Sequence, residues 1–117
     1  MAGIETRDPT ARDVAPLSAV VWIDDSRAIV ATMGDDGRVS TCEFERGWLP
    51  EMNYLAQVVR VIGDRERVTI LDPSSMRLLL ERDYVTVFHR PERLIDVEPA
   101  GPVPVDDLVV RVRTLAA

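Results

Sequence analysis

The sequence has no lysine: all fourteen of its basic side chains are arginine. A codon bias accounts for this simply, and a demand for bidentate recognition of carboxylates or phosphates is the functional alternative. Cysteine is nearly absent as well. Cys42 stands alone, which excludes an internal disulfide and fits a reducing, cytoplasmic setting. His89 is the sole histidine, without a nearby nucleophile or ligand set, so the arrangements of a Ser-His-Asp triad or a zinc site are missing. No glycine-rich phosphate loop occurs, no internal repeat is visible, and no apolar run approaches the ~20 residues of a membrane helix. Met1 to Asp13 is charged and lacks the apolar core of a signal peptide.

What is present is the composition of one folded domain: 117 residues, 46% apolar, formal charge −6. That charge sets the bulk surface against nucleic acid, free DNA included, and against anionic lipid. The balance shifts along the chain. Residues 1–63 carry ten acidic and six basic groups, whereas residues 64–93 carry six of each together with His89. An anion-binding patch is therefore expected in that middle third.

Residues 1–17 mix charges with Pro9 and Pro16 and show no periodicity, which predicts a flexible arm ahead of a domain over 18–117. Ala19–Ile23 and Arg27–Met33 read as strands separated by Asp24-Asp25-Ser26, a turn. Gly34–Gly37 makes a tight hairpin into a third, alternating strand, Arg38–Glu45. There Val39, Thr41 and Glu43 face one way and Cys42 and Phe44 the other, which makes Cys42 a small buried residue. Met52, Leu55, Val58, Val59 and Ile62 follow helical spacing up to Gly63. Arg67–Leu71 reads as a buried strand, expected at the centre of the sheet and covered on both faces. Asp72 is then the expected N-cap of a second helix with Pro73 in its first turn and Met76, Leu79 and Leu80 inward. Tyr84–Phe88 suits either the end of that helix or a strand. Leu94–Val97 is a fifth strand, and a last helix starting at Asp106 or Asp107 turns Leu108, Val109, Val112 and Leu115 inward. The predicted class is α/β, in the order βββ-α-β-α-β-α, with three helices on a five-stranded mixed sheet.

This order is that of ribonuclease H-like folds. Val20-Val21-Trp22-Ile23-Asp24 with Arg27-Ala28, Val68–Ser75 and Arg93–Glu98 resemble an opening strand and turn, a buried strand entering a helix, and a last strand. Through these stretches the chain resembles the middle domain of archaeal and eukaryotic peptide-chain release factors and of Pelota. The chain also looks like small bacterial proteins termed translational machinery proteins. The resemblance implies a place in translation, with the ribosome or a translation factor as partner. It stops short of the release factors' chemistry. Their Gly-Gly-Gln, which promotes peptidyl-tRNA hydrolysis, belongs in the loop after the third strand, and here that loop is Arg46-Gly47-Trp48-Leu49-Pro50.

Several residues are candidates for chemistry, each with a simpler alternative. The ends of the first and fourth strands adjoin in such a sheet, so Asp24 and Asp72 are weak candidates to share a divalent metal. A nuclease site needs a third carboxylate that no residue supplies, and turn-making and helix-capping explain the pair. The amides of Ser74 and Ser75 suit a phosphate, except that Asp72 competes for them. Arg77, His89, Arg90 and Arg93 have the chemistry of a partner surface, diluted by neighbouring acids into an ordinary solvated loop. Trp48, in a polar loop, either packs back on the domain, the commoner outcome, or meets a partner. The expected function is a non-catalytic binding module without a cofactor. A metal-dependent phosphodiesterase is the alternative, as is a homodimer paired through an exposed sheet edge.

Overall fold

The computed structural model describes residues 17–117, so most of the expected N-terminal arm lies outside the described residues. Among the described residues five strands are present: β1 (Ser18–Ile23), β2 (Arg27–Met33), β3 (Val39–Glu45), β4 (Arg67–Asp72) and β5 (Leu94–Pro99). Three helices accompany them: α1 (Glu51–Ile62), α2 (Met76–Phe88) and α3 (Val105–Ala116). The mixed sheet runs β3-β2-β1-β4-β5, with β1 antiparallel to β2, β2 to β3, and β1, β4 and β5 parallel. The expected class, strand number and element order all hold.

The meander follows from local chemistry. The Asp24 carboxylate accepts from the amides of Ser26 and Arg27, both at 2.8 Å, and closes the first turn. In the second turn Gly37 takes φ +82°, which costs an L side chain and suits glycine, and its amide bonds the Gly34 carbonyl at 3.0 Å. The two inner parallel strands, β1 and β4, read as apolar runs with few polar interruptions because both sheet faces are covered there. Ala19, Val21, Ile23, Val68 and Ile70 point at α1 and α2, while Val20, Trp22 and Leu71 point at α3. The middle strand is β1, buried at all six positions, with β4 beside it. The sequence pattern of β4 is equally apolar, which is why it read as central.

Four more expectations need correction. Cys42 is exposed, because β3 is an edge strand and α1 does not extend over it. Asp72 closes β4, and α2 begins only at Met76, so the carboxylate caps the helix from outside it. Met52 shares the helical period but lies on the outer shoulder of α1, 78% exposed. The last helix begins at Val105, a residue or two ahead of the expected start. Tyr84–Phe88, open between two readings, is helical.

Candidate functional site

Parallel strands put their C-terminal ends, and the loops that leave them, on one side of the sheet, where ligands of open α/β sheets usually bind. Here that end gathers Asp24 after β1, the 46–50 loop after β3, and Asp72 with Ser74, Ser75 and Arg77 between β4 and α2. His89, Arg90 and Arg93 follow the other end of α2. A thirteen-residue helix separates them from Arg77 by roughly 18 Å. The predicted basic patch is thus split between two ends of the molecule.

Both carboxylates at the upper end are engaged locally. Asp24 Oδ1 accepts from Ser26 Oγ at 3.0 Å as well as from the two turn amides. Burial pushes its carboxyl up, but the Ser26 and Arg27 hydrogen bonds and the Arg27 charge outweigh this and hold it below the ordinary carboxylate value. Asp72 is fully buried. Its Oδ1 accepts from the Ser74 amide at 2.8 Å and the Ser74 hydroxyl at 3.1 Å, and Oδ2 accepts from the Arg77 amide. Two amides that an incoming phosphate would need are donated to this carboxylate. The Arg77 guanidinium turns back onto the Ser74 carbonyl. Among the described residues, no group of three or more His, Cys, Asp or Glu side chains is placed to hold a metal ion.

The 46–50 loop is different. Arg46 holds it from inside: its amide donates to the Ser26 carbonyl at 2.8 Å, its Nε to Leu49 O at 2.8 Å, and a terminal nitrogen to Asp25 O at 3.2 Å. The guanidinium also lies 5.7 Å from the ring centre of Tyr54. Tyr54 is buried and donates its hydroxyl to Asp24 O at 2.9 Å; burial first, then the Asp24 charge, raises its phenol far above the usual value. Gly47 adopts φ +57° and lets the chain reverse. At the apex Trp48 is 102% exposed. It does not pack back on the domain. Beneath it, the loop and Asp25-Ser26 enclose an open depression of about 640 Å³.

At the lower end the basic groups are partly engaged. His89 terminates α2 in the left-handed conformation, φ 58°, with its amide on Val85 O at 2.7 Å. Arg93 is ion-paired with Asp64 and donates to Arg65 O at 3.3 Å. Arg90 is exposed and 3.7 Å from Glu92. The residue reading missed an apolar groove of about 470 Å³ between α1 and α2, bordered by Met52, Ala56, Val59, Val87 and Phe88. The pattern gave no signal for it: Met52 and Val87 both fall on the apolar period of their helices, and only the fold leaves them exposed.

No protein-family model matches the chain, and no curated protein matches it. Solved structures do. The Pelota protein of Thermoplasma acidophilum superposes with a TM-score of 0.61 at 19% identity, over 90% of this chain and 34% of that one. Pelota of Archaeoglobus fulgidus gives 0.58 at 14% identity, over 86% of this chain and 33% of that one. The chain spans about a third of the length of these proteins, and at such identities the likeness is one of fold: a mixed five-stranded sheet with three helices, similar to one portion of Pelota.

Proposed function

We propose that the domain is a binding module of the translation apparatus, and that it meets its partner through the Arg46–Pro50 loop. The observation that carries this reading is Trp48. A tryptophan left wholly in water forgoes the largest apolar burial available to any side chain. Arg46 fixes the loop beneath it, so little conformational entropy remains to be lost when the indole docks. The likeness to part of Pelota supports a setting in translation, and the resemblance to the release-factor domain stops at this loop, whose Arg46-Gly47-Trp48-Leu49-Pro50 holds no Gly-Gly-Gln. Asp24 and Asp72, each satisfied by its own turn, supply structure in this reading. RNA and DNA should survive incubation with the protein and Mg²⁺ or Mn²⁺ unchanged. The test is co-sedimentation with ribosomes at low salt. Wild type should pellet with them and Trp48→Ala should lose most of that binding. Failure of the wild-type protein to co-sediment removes the link to translation.

A further inference from the structure

The two edges of the sheet are finished differently. Along β5 the register slips between Val68 and Thr69, leaving Ile95 as a bulge, and the strand ends at Pro99, which has no N–H to offer. Bulges and prolines are the usual guards against strand addition. Along β3 there is neither. All seven residues pair with β2 in unbroken register, and Ser40, Thr41, Cys42, Glu43 and Glu45 are exposed.

The direction of the free hydrogen-bonding groups follows from the flanking bonds. Gly34 N donates to Arg38 O, and Arg46 N donates to Ser26 O, so the even-numbered residues of β3 bond to β2. Val39, Thr41, Glu43 and Glu45 therefore turn their N–H and C=O outward. Among the described residues nothing receives them.

We propose that this edge pairs with β3 of a second copy, antiparallel about a twofold axis at Cys42. That register uses the whole strand. Val39 meets the second copy's Glu45, Thr41 meets Glu43, and their reciprocal pairs complete about eight ladder hydrogen bonds. No two glutamates face each other, and Arg27, 3.0 Å from Glu43, moderates the acidity of the row. Centring on Thr41 leaves Glu45 without a strand partner, and centring on Glu43 sets like charges opposite. One like-charge meeting remains, Arg38 with the second copy's Arg46, and it is mild: Arg38 lies 3.6 Å from Asp36, and Arg46 is bound into its own loop. The two Trp48 loops would stand roughly 27 Å apart, both free.

The register makes Cys42 a reporter. As a pair without ladder hydrogen bonds, the two Cys42 Cα atoms would lie about 4.5 Å apart, within reach of a disulfide. Diamide, taking two electrons and two protons from the thiols, should convert the concentrated protein to a covalent dimer. Sedimentation without oxidant should show reversible dimerisation. Hydrogen exchange on concentrating the protein should slow at the amides of 39, 41, 43 and 45, leaving those of 40, 42 and 44 unaffected. Thr41→Pro, tolerable on an edge, should abolish all three signals. Should that variant fail to fold, charge at the same site tests the register. Thr41→Asp, placed opposite Glu43 twice, should weaken the dimer roughly two- to thirty-fold, and Thr41→Lys should strengthen it. A protein that sediments as a monomer at every concentration, or amides at 39–45 that exchange identically whether dilute or concentrated, would overturn the proposal. So would diamide dimers that persist in Thr41→Pro.

Discussion

The two ends of the sheet use the same kinds of side chain to different effect. At the upper end, two carboxylates are taken up by the backbone: Asp72 is fully buried and takes three donors, and Asp24 takes three more. Beside them the 46–50 loop leaves an aromatic, Trp48, outside. At the lower end the charged groups stay near the surface, where Arg93 with Asp64 and Arg90 with Glu92 remain in reach of water. Hydrogen-bonded charge in a dry place is structural and costly to lose, whereas charge in water is cheap to change. Charged residues seen in a sequence look alike in this respect; the fold assigns them to one class or the other.

Substitution of the charges should expose that difference first. Asp72→Ala strands the amides of Ser74 and Arg77 at the start of α2 and should lower unfolding stability by about 3 kcal/mol. Arg93→Ala loses an ion pair that water largely replaces, and should cost about 1 kcal/mol or less. Urea midpoints at constant slope measure both. A larger loss for Arg93→Ala would reverse the assignment of the two ends.

A smaller effect should be symmetric, because one tyrosine pins each end. Tyr54 donates to Asp24 O at the upper end, and Tyr84 donates to Gly63 O, also 2.9 Å, at the lower. Burial raises both phenols; the Arg65 amide, which donates to the Tyr84 oxygen, and the Arg65 charge offset only part of this for Tyr84. Each Tyr→Phe should cost about 1 kcal/mol at neutral pH. The pH dependence has a definite sign. A folded-state value above the unfolded one, 10.0, means that these phenols stabilise the fold fully below about pH 10 and lose that contribution as pH rises further. Wild type should therefore weaken steeply above pH 10, with each Phe variant shallower. Equal slopes in all three proteins would show that the phenols ionise freely in the fold.

Much of this was legible in the sequence. Period-two alternation placed Val39 and Phe44 on opposite faces of β3, and the structure has them packing into the two separate cores. What the pattern could not carry was lateral position. An edge strand and an inner strand can share one alternation, so Cys42 read as buried. An inner strand next to the centre is as apolar as the centre itself, so β4 read as the middle. The distance between sequence neighbours was hidden for the same reason. Arg77 and Arg90 lie in one short segment, and only the helix between them sends them to opposite ends.

The smallest stability effect belongs to the residue with the largest proposed role. Trp48 has nothing to lose on truncation, since no part of it is buried, and Trp48→Ala should shift unfolding by no more than about 0.5 kcal/mol. Its partner in the spectrum is Trp22, 1% exposed, which donates from Nε1 to the carbonyls of Ala100 and Gly101 and packs on the α3 side of the sheet. Wild-type fluorescence should thus be the sum of a buried and a hydrated indole, and Trp48→Phe should remove the red, quencher-accessible part alone. If instead the emission of Trp48→Phe is unchanged and acrylamide quenches wild type no better than the variant, Trp48 is sheltered in solution. The contrast between an upper end that presents an aromatic and a lower end that presents charge would then fail at its most exposed point. A sheltered Trp48 that becomes accessible only on dilution would instead assign the shelter to a second copy of the chain, in an arrangement other than the β3 pairing, which leaves both loops free.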